Sequence, residues 1–216
     1  MYKEPIAVLA GTPVDTRMGV QVLAGQGLRG MAFPLAADPW QQTAFQISAP
    51  EEKAAALRAV LDQAREQGCR RAFVYCNSLS AAVDFTPLAA ETGMRIVTPL
   101  EVYRDLAPRY RRLGLIAANA QGLAGIERTL YGANPAMELL GTCLLPVVVD
   151  IENGTPPEDV VTRHRLPELA EWFRTCGMES LVLGCTHFPY FRAALAARTS
   201  LPLIDPAEEM VRRVES

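Results

Sequence analysis

The stretch FVYCNS at residues 73–78 is repeated in outline by LVLGCTH at residues 181–187, and these two stretches decide the fold. Each is a short apolar run of strand character that ends near a cysteine and continues into side chains that form hydrogen bonds. Each also follows a helix-like segment and a glycine-containing turn. Because the two cysteines, Cys76 and Cys185, are about half the chain apart, the repeat predicts two pseudo-equivalent halves that each present one thiol at a strand end.

Outward from these stretches, short apolar runs alternate with helix-like segments, which predicts βαβ units and mostly parallel sheets. The expected strands are residues 6–10, 72–75, 95–98, 113–117, 144–149, 180–183 and 201–204. The expected helices are residues 50–67, a segment that runs to 91, 166–175, 193–198 and 206–214. The predicted fold is α/β, with two pseudo-symmetric three-layer α/β/α domains and the active site in the cleft between them. The expected domains are residues 1–97 with 205–216, and residues 98–204.

The composition excludes several classes of protein. Half of the 216 residues are hydrophobic and 21% are charged, which is enough apolar material for a core and argues against disorder. The net charge is −3 and basic residues occur at most in pairs, which argues against nucleic acid or an anionic membrane as the main partner. No apolar run approaches the roughly 20 residues of a membrane span. We expect a cytoplasmic protein without a signal peptide.

Five cysteines are an odd number for a disulfide framework, and none forms a CxxC pair. Cys69, Cys143 and Cys176 are interpreted as small buried hydrophobes. Cys76 and Cys185 differ because each precedes polar residues at an expected helix start, where backbone amides favour a thiolate. Two facing thiols suit proton removal from one face of a carbon stereocentre and proton return to the other. The residues therefore favour a reaction that inverts a carbon stereocentre by proton transfer.

Five segments resemble glutamate racemases of the cofactor-independent aspartate/glutamate racemase superfamily. LVLGCTHFPYF at 181–191 is similar to the second cysteine motif of the family, and CNS at 76–78 is similar to the first. DIENG at 150–154 resembles the segment with a functional glutamate, and LIDPAEEMVRRV at 203–214 resembles the return to the first domain. Asp15-Thr16 with Gly19 resembles the Asp-Ser dipeptide after the first strand.

The resemblance implies a cofactor-independent amino-acid racemase without pyridoxal phosphate, acting on a small amino-acid substrate as a possible homodimer. Cys76 and Cys185 would be the paired base and acid, with Asp15 near one thiol and His187 near the other. Glu152 would be an auxiliary acid. The substrate's amino and carboxylate groups would be held by Thr16, Asn77, Ser78 and Thr186. Gly25-Gln26-Gly27 lacks the third glycine of a dinucleotide loop and is interpreted as a turn.

Four departures from the family concern the substrate. Arg17-Met18 replaces a glycine-rich stretch, and the Pro-Tyr-Gly loop of the family is missing from residues 34–48. Two family threonines are replaced by Ala118 and Gln121, with Asn119 between them, and the chain is short for the family. Gln121, Asn119 and Arg17 are therefore candidate substrate contacts, with Arg17 able to grip a carboxylate. His187 favours glutamate over aspartate, since aspartate-type relatives usually have Glu at this position.

Several alternatives stay open. The chain could be an amino-acid-binding relative without turnover, a superfamily racemase or isomerase of another small acidic substrate, or a redox switch that pairs Cys76 with Cys185. Asp15 is also a candidate cap of a helix that begins near Thr16. Glu152 is also a candidate exposed turn residue. Cys185 and His187 have half of a metal-site pattern, but the sequence has no second pair nearby and no metal is expected.

Overall fold

The structure is a computed structural model that describes residues 4–216. The chain divides into two compact units. The first comprises the residues up to Val102 together with Ala207–Ser216, and the second is Tyr103–Pro206. These divisions fall a few residues after the boundaries expected from the sequence, at 97/98 and 204/205, and the first division lies inside a helix.

The elements alternate between strands and helices along the chain. Up to residue 97 they are β1 (Ile6–Ala10), α1 (Pro13–Ala24), β2 (Gly30–Pro34), α2 (Pro39–Ile47), α3 (Pro50–Glu66), β3 (Arg71–Val74), α4 (Asn77–Ala82), α5 (Phe85–Thr92) and β4 (Arg95–Val97). From residue 99 they are α6 (Pro99–Leu106), β5 (Arg112–Ala117), α7 (Ala120–Ala133), β6 (Glu138–Cys143), α8 (Leu145–Glu152), α9 (Pro157–Arg163), α10 (Leu166–Thr175), β7 (Ser180–Gly184), α11 (Arg192–Ala196), β8 (Leu203–Ile204) and α12 (Ala207–Glu215).

The sheet of the first unit has the strand order β2-β1-β3-β4, and its strands pair in parallel. In the register, Val8 of β1 lies beside Phe73 of β3 and Ala32 of β2. All five residues of β1 are buried, and so are the last three of β3. Central strands that are buried on both faces require helices on both faces of the sheet, as in other parallel α/β sheets.

The helices of the first unit form two layers. The helix α1 contacts α12, and α3 contacts α5. Gly19 lets α1 approach the sheet closely, because a Cβ at this position would lie 2.7 Å from Val8 Cγ1 and 2.9 Å from Tyr75 Cβ. From the second layer, Leu57 and Leu61 of α3 are fully buried in the same core as Val8.

The sheet of the second unit has the strand order β6-β5-β7-β8, again with parallel pairs. β7 is buried at all five positions. The helix α7 packs on β5 and β6, and α10 packs on β7 through the fully buried Phe173. The core of this unit continues through Val160 and Phe188, both of which are fully buried.

The two sheets repeat the same topology. In each, the first strand in sequence lies in the interior, the second pairs on one side of it and the third on the other. Cys76 lies two residues beyond β3, and Cys185 follows β7 directly. The predicted α/β fold with mostly parallel sheets is confirmed, and so is the prediction that each half carries a cysteine after a corresponding strand.

The prediction of a strand at residues 144–149 is wrong. The run LPVVV at residues 145–149 begins helix α8, with Leu144 as its N-cap, and the proline lies among the first helical residues, where a missing N–H costs nothing. Its buried side chains, Val147, Val148 and Ile151, have helical spacing. The three consecutive valines suggested a strand, but burial of one helix face outweighs their β propensity. The strand that pairs with β5 is β6, a partly exposed edge strand whose sequence has a weak pattern.

The single helix expected to run to residue 91 is two helices. α4 ends at Ala82, Val83 is extended, and Asp84 begins α5 by accepting a hydrogen bond from the Thr86 backbone at 2.9 Å. Asp is a strong helix N-cap, so a new helix starts there. The edge strand β2 and the helix α2 were also absent from the sequence prediction.

Candidate active site

Cys76 of the first unit lies at the carboxyl edge of the sheet. The chain is held to β1 up to Tyr75, whose N–H donates to the Leu9 carbonyl at 2.8 Å. Cys76 is 2% exposed and caps the start of α4, where the backbone N–H of Leu79 points to its Sγ at 3.5 Å. The sequence prediction of a cysteine at a helix start is confirmed on this side.

Ser78 and two glutamines lie close to the Cys76 thiol. Ser78 Oγ lies 3.5 Å from Cys76 Sγ. The side-chain nitrogen of Gln42 lies 3.1 Å from the same sulfur, and that of Gln46 lies 2.6 Å from Ser78 Oγ. Both glutamines were missed in the sequence analysis, where residues 34–48 counted only as a missing family loop. The signal was present, because the two residues are four apart and so share one helix face.

Asp15 and Thr16 are buried in the first turn of α1, which follows β1 at the same sheet edge. The prediction that Asp15 caps a helix starting near Thr16 is wrong. Thr12 is the cap, since its side chain accepts from the Asp15 N–H at 3.1 Å, and Pro13 suits the first helical position. An Asp15 carboxylate oxygen lies 3.4 Å from the Gly11 N–H.

The other two candidates of the first unit have different environments. Asn77 is 3% exposed in the first turn of α4, beside Cys76. Arg17 is exposed on α1, although it is adjacent in sequence to the buried Thr16. The structure therefore brings Cys76, Asn77 and Ser78 together and leaves the Arg17 side chain in solvent.

Cys185 of the second unit is the first member of a chain of three side chains. Its sulfur lies 3.6 Å from Nδ1 of His187, whose Nε2 lies 2.8 Å from Glu152 Oε1. Cys185 and His187 are 6% and 2% exposed. An ionised carboxylate only accepts hydrogen bonds, so it orients the imidazole with Nε2–H toward itself and Nδ1 toward the thiol. This arrangement can move a proton between Sγ and Nδ1.

The local fold explains why these three residues meet. Cys185 and His187 lie in a tight turn in which the Phe188 N–H donates to the Cys185 carbonyl at 3.0 Å. Phe188 and Phe191 are fully buried and anchor this turn in the core. Glu152 is the last residue of α8 and its side chain is largely buried. It is therefore not the exposed turn residue of the alternative interpretation.

Tyr103 is a further buried group near Cys185 that the sequence analysis missed. It is fully buried. Burial raises the pKa of Tyr103 well above its ordinary value, and electrostatic interactions with Asp205 and Cys185 raise it further. Tyr103 therefore stays neutral. No periodicity separates it from an ordinary core aromatic, which is why sequence reasoning passes over it.

Three remaining candidates belong to the second unit. Thr186 is buried between Cys185 and His187. Asn119 caps α7, because its side-chain oxygen accepts from the Gly122 N–H at 3.0 Å. Gln121 is half-buried in the first turn of the same helix. Asn119 thus has a clear role in the fold, whereas Thr186 lies in the turn that carries the thiol.

The three other cysteines were all interpreted as buried hydrophobes, and this is correct only for Cys69. Cys69 is fully buried, and burial raises the pKa of its thiol. Cys143 lies on the edge strand β6 and Cys176 caps the end of α10, and both are exposed. These two side chains lie outside the core because one is on an edge strand and the other is at a helix end. The spacing of the cysteines in the sequence did not reveal this exposure.

The second histidine of the chain forms a comparable pair away from Cys185. His164 Nε2 lies 2.8 Å from Asp150 Oδ2, which also accepts from Arg163. Within residues 4–216, no group of three or more His, Cys, Asp or Glu side chains is placed to hold a metal ion. Over the same residues, none of the helices has the length and apolar character that a membrane span needs.

The fold and the sequence of this protein can be compared with those of known protein families. Two parallel α/β units that each carry a thiol after the third strand are consistent with the superfamily suggested by the sequence motifs. The family model for Asp/Glu/hydantoin racemases matches residues 35–214. This is most of the chain, and the protein belongs to the Asp/Glu/hydantoin racemase family.

Curated proteins with similar sequences include glutamate racemases. The glutamate racemase of Limosilactobacillus reuteri is 26% identical over 155 residues, which cover 69% of this chain and 57% of the relative. A glutamate racemase of Thermus thermophilus is 29% identical over 152 residues, or 68% of this chain and 55% of the relative. The aligned part thus spans little more than half the length of these relatives.

Solved structures share the fold at low sequence identity. Glutamate racemase from Francisella tularensis, in complex with D-glutamate, matches with a TM-score of 0.73 and 17% identity, covering 100% of this chain and 80% of that chain. An aspartate racemase homologue from Pyrococcus horikoshii gives 0.69 and 15%, covering 97% of each chain. Allantoin racemase from Klebsiella pneumoniae gives 0.67 and 18%, covering 99% and 86%. The fold is therefore common to proteins named for different substrates.

Proposed function

We propose that this protein is a cofactor-independent amino-acid racemase that acts on glutamate by two-base proton transfer at the α-carbon. The observation that carries the proposal is the chain from Cys185 through His187 to Glu152, together with the equivalent position of Cys76 after β3. Family membership and the names of the curated relatives support the reaction and the substrate.

In the forward direction, one thiolate takes the α-proton and becomes a thiol, and the electron pair is left on the α-carbon and delocalised into the adjacent carboxylate. The other thiol donates its proton to the opposite face and becomes a thiolate. The substrate atoms are unchanged except for configuration. The reverse reaction uses the same two groups with their roles exchanged, so each group needs to function both as acid and as base.

His187 and Glu152 support the second of these groups. When Cys185 is to act as the base, its thiol passes its proton to Nδ1 of His187. The resulting imidazolium stabilises the thiolate, and the Glu152 carboxylate stabilises the imidazolium. Asp15, buried at the carboxyl edge of the first sheet, is proposed to assist proton transfer on the Cys76 side. Asn77 and Thr186, which are adjacent to the two thiols, are proposed to hold the substrate's polar groups.

The test is exchange of the α-proton in deuterium oxide with separate D- and L-amino acids, followed by circular dichroism and mass spectrometry. We expect both enantiomers of glutamate to racemise with incorporation of one deuterium. Cys76→Ser and Cys185→Ser are both expected to abolish racemisation. Cys176→Ser is the matched control, since its thiol is exposed at the end of α10, and this variant should racemise at the wild-type rate.

Other outcomes identify other functions. Tight binding of glutamate without deuterium exchange would replace the proposal with an amino-acid-binding protein. Racemisation of aspartate or a hydantoin, but not of glutamate, would keep the two-thiol mechanism and change the substrate. Full activity in either single cysteine variant would contradict the two-base mechanism.

A further inference from the structure

The helix α2 has an unusual distribution of side chains. It buries polar residues and exposes large apolar ones: Gln46 is 3% exposed, whereas Trp40 and Ile47 are each 66% exposed. Burial of an amide costs free energy unless the amide forms hydrogen bonds. The side chains on the inward face of α2 therefore need hydrogen-bond partners, and these partners are Ser78 and Cys76.

The hydrogen-bond capacity of Ser78 determines how its proton points. A serine hydroxyl has one proton and two acceptor positions. The side-chain N–H groups of Gln46 and Gln42 lie 2.6 Å and 3.4 Å from Oγ, and a nitrogen of this kind only donates. Both acceptor positions of Ser78 are thus used, which directs the hydroxyl proton to Cys76 Sγ at 3.5 Å.

The sulfur of Cys76 consequently receives several donors. The side-chain nitrogen of Gln42 donates to Sγ at 3.1 Å, the Ser78 hydroxyl adds another donor, and the Leu79 backbone N–H adds a third. Acceptance of donated hydrogen bonds stabilises the charged form of an ionisable group. Unlike the imidazole beside Cys185, none of these three groups is a base that could take the thiol proton.

Gly11 makes room for this arrangement. A Cβ at Gly11 would overlap Gln42 Cδ and the side-chain nitrogen of the same residue. Since β1 ends one residue earlier, the glycine opens a passage over the strand end through which Gln42 reaches the sulfur. The contact between Gln42 of α2 and Cys76 therefore depends on Gly11, which follows β1.

We propose that Gln42 is a positioning residue that, together with Gln46 acting through Ser78, holds Cys76 as a thiolate before substrate binds. If the proposed function holds, the consequence is that Cys76 of the resting enzyme takes the α-proton and Cys185 donates a proton to the opposite face. The thiolate itself does not depend on the proposed function. The ionisable group buried at this edge on α1 is Asp15, which would oppose a thiolate when ionised, and Arg17 of α1 is exposed. Neither α2 nor α4 contains an ionisable side chain, and the buried Lys53 of α3 donates to the backbone carbonyl of Gln46 at 3.0 Å. The amide donors thus offset the carboxylate.

The experiment is a pH titration of thiolate ultraviolet absorbance in the substrate-free protein. The Cys76 signal is obtained by subtracting the spectrum of the same protein with Cys76→Ser. We expect Gln42→Leu to lower the ratio of thiolate to thiol at Cys76 by about tenfold at a given pH, which is the size expected for one hydrogen bond to a charged group. Gln42→Glu, which has the same shape without the N–H donors, should lower it further. Gln46→Leu should give a smaller decrease, because it acts through Ser78.

Gln41→Leu is the matched control, since Gln41 is an exposed glutamine of the same helix, and it should leave the titration unchanged. The proposal is overturned if Gln42→Glu folds, as judged by circular dichroism, and titrates at Cys76 like the wild type. It is also overturned if Gln41→Leu shifts the titration as much as Gln42→Leu. Because the readout needs no substrate, a shifted titration without racemisation would defeat only the proposed function, and racemisation with an unshifted titration would defeat only this inference.

Discussion

Cys76 and Cys185 occupy equivalent places in two repeated units, yet their surroundings differ in kind. Cys185 lies beside an imidazole that is backed by a carboxylate, so a proton can pass between the thiol and a base. The sulfur of Cys76 receives hydrogen bonds from an amide, a hydroxyl and a backbone N–H, and these three groups stabilise charge without accepting a proton. The repeat therefore determines where the two thiols lie, and the side chains from neighbouring helices determine what each one does.

The largest expected effect comes from removing the base on the Cys185 side. His187→Asn should lower kcat for glutamate racemisation by about 10²–10⁴-fold, the usual contribution of a positioned acid or base. The matched control is His164→Asn, because His164 also contacts a carboxylate at 2.8 Å but forms its pair with Asp150. Coupled circular dichroism assays in both directions measure kcat and KM. An equal loss in both histidine variants would mean that the loss reflects the fold rather than proton transfer.

The next effect is on the Cys76 side and acts through the backbone. Gly11→Ala should displace Gln42, since the added Cβ overlaps its side chain, and should lower kcat/KM by about tenfold through loss of one hydrogen bond to the thiolate. Overpacking should also cost about 1–3 kcal/mol of unfolding free energy, measured with urea. Gly25→Ala is the control, because Gly25 has φ −60° and an added Cβ would lie 3.5 Å from the Gln21 carbonyl oxygen, which is ordinary contact. Wild-type kinetics in Gly11→Ala would show that Gln42 does not act on Cys76.

An effect of similar size, without a loss of stability, is expected from neutralising the carboxylate behind His187. Glu152→Gln keeps an oxygen that can accept from Nε2 and removes the charge that stabilises the imidazolium, so kcat should fall by roughly tenfold, as expected for a hydrogen bond that loses its charged acceptor. The acidic side of the pH–rate profile should change in this variant, whereas Asp150→Asn should leave the profile as it is. A kcat unchanged in Glu152→Gln would show that His187 needs orientation but not charge.

The parts of the fold that follow from local pattern could be predicted from the sequence. The fully buried strands β1 and β7 and the amphipathic helix α10 lie within a residue of their predicted bounds. The edge strands β2 and β6 were missed, because half-exposed strands have mixed composition and weak periodicity. In α8, helix packing overrode the β propensity of three valines.

The site residues also divide into those that local sequence patterns predict and those that they miss. Cys76, Cys185 and His187 were found because they lie in contiguous motifs at strand ends. Gln42 and Tyr103 were missed because their importance depends on which distant residues they contact. The partnership between His187 and Glu152, which are 35 residues apart, was predicted only from a family resemblance, and their contact at 2.8 Å gives it a physical basis. Long-range side-chain contact is thus the information that the sequence patterns lack.

The smallest expected effect concerns stability and tests whether the Asp150 pair is structural. The hydrogen bond from His164, with a further contribution from Arg163, lowers the pKa of Asp150 below its ordinary value. A carboxyl group whose pKa is lower in the folded state stabilises the protein above its unfolded pKa of about 3.9. That stabilisation is lost as the pH falls through the lower, folded value. Asp150→Asn should therefore reduce the urea midpoint slightly at neutral pH and should match the wild type at the acidic end.

Because Arg163 is largely exposed, the difference should be small and should shrink further in high salt. If the difference in urea midpoint between the two proteins instead grew as the pH fell, Asp150 would stabilise the protein in its protonated form. The pair of His164 with Asp150 would then not be an ionic contact that only stabilises the fold.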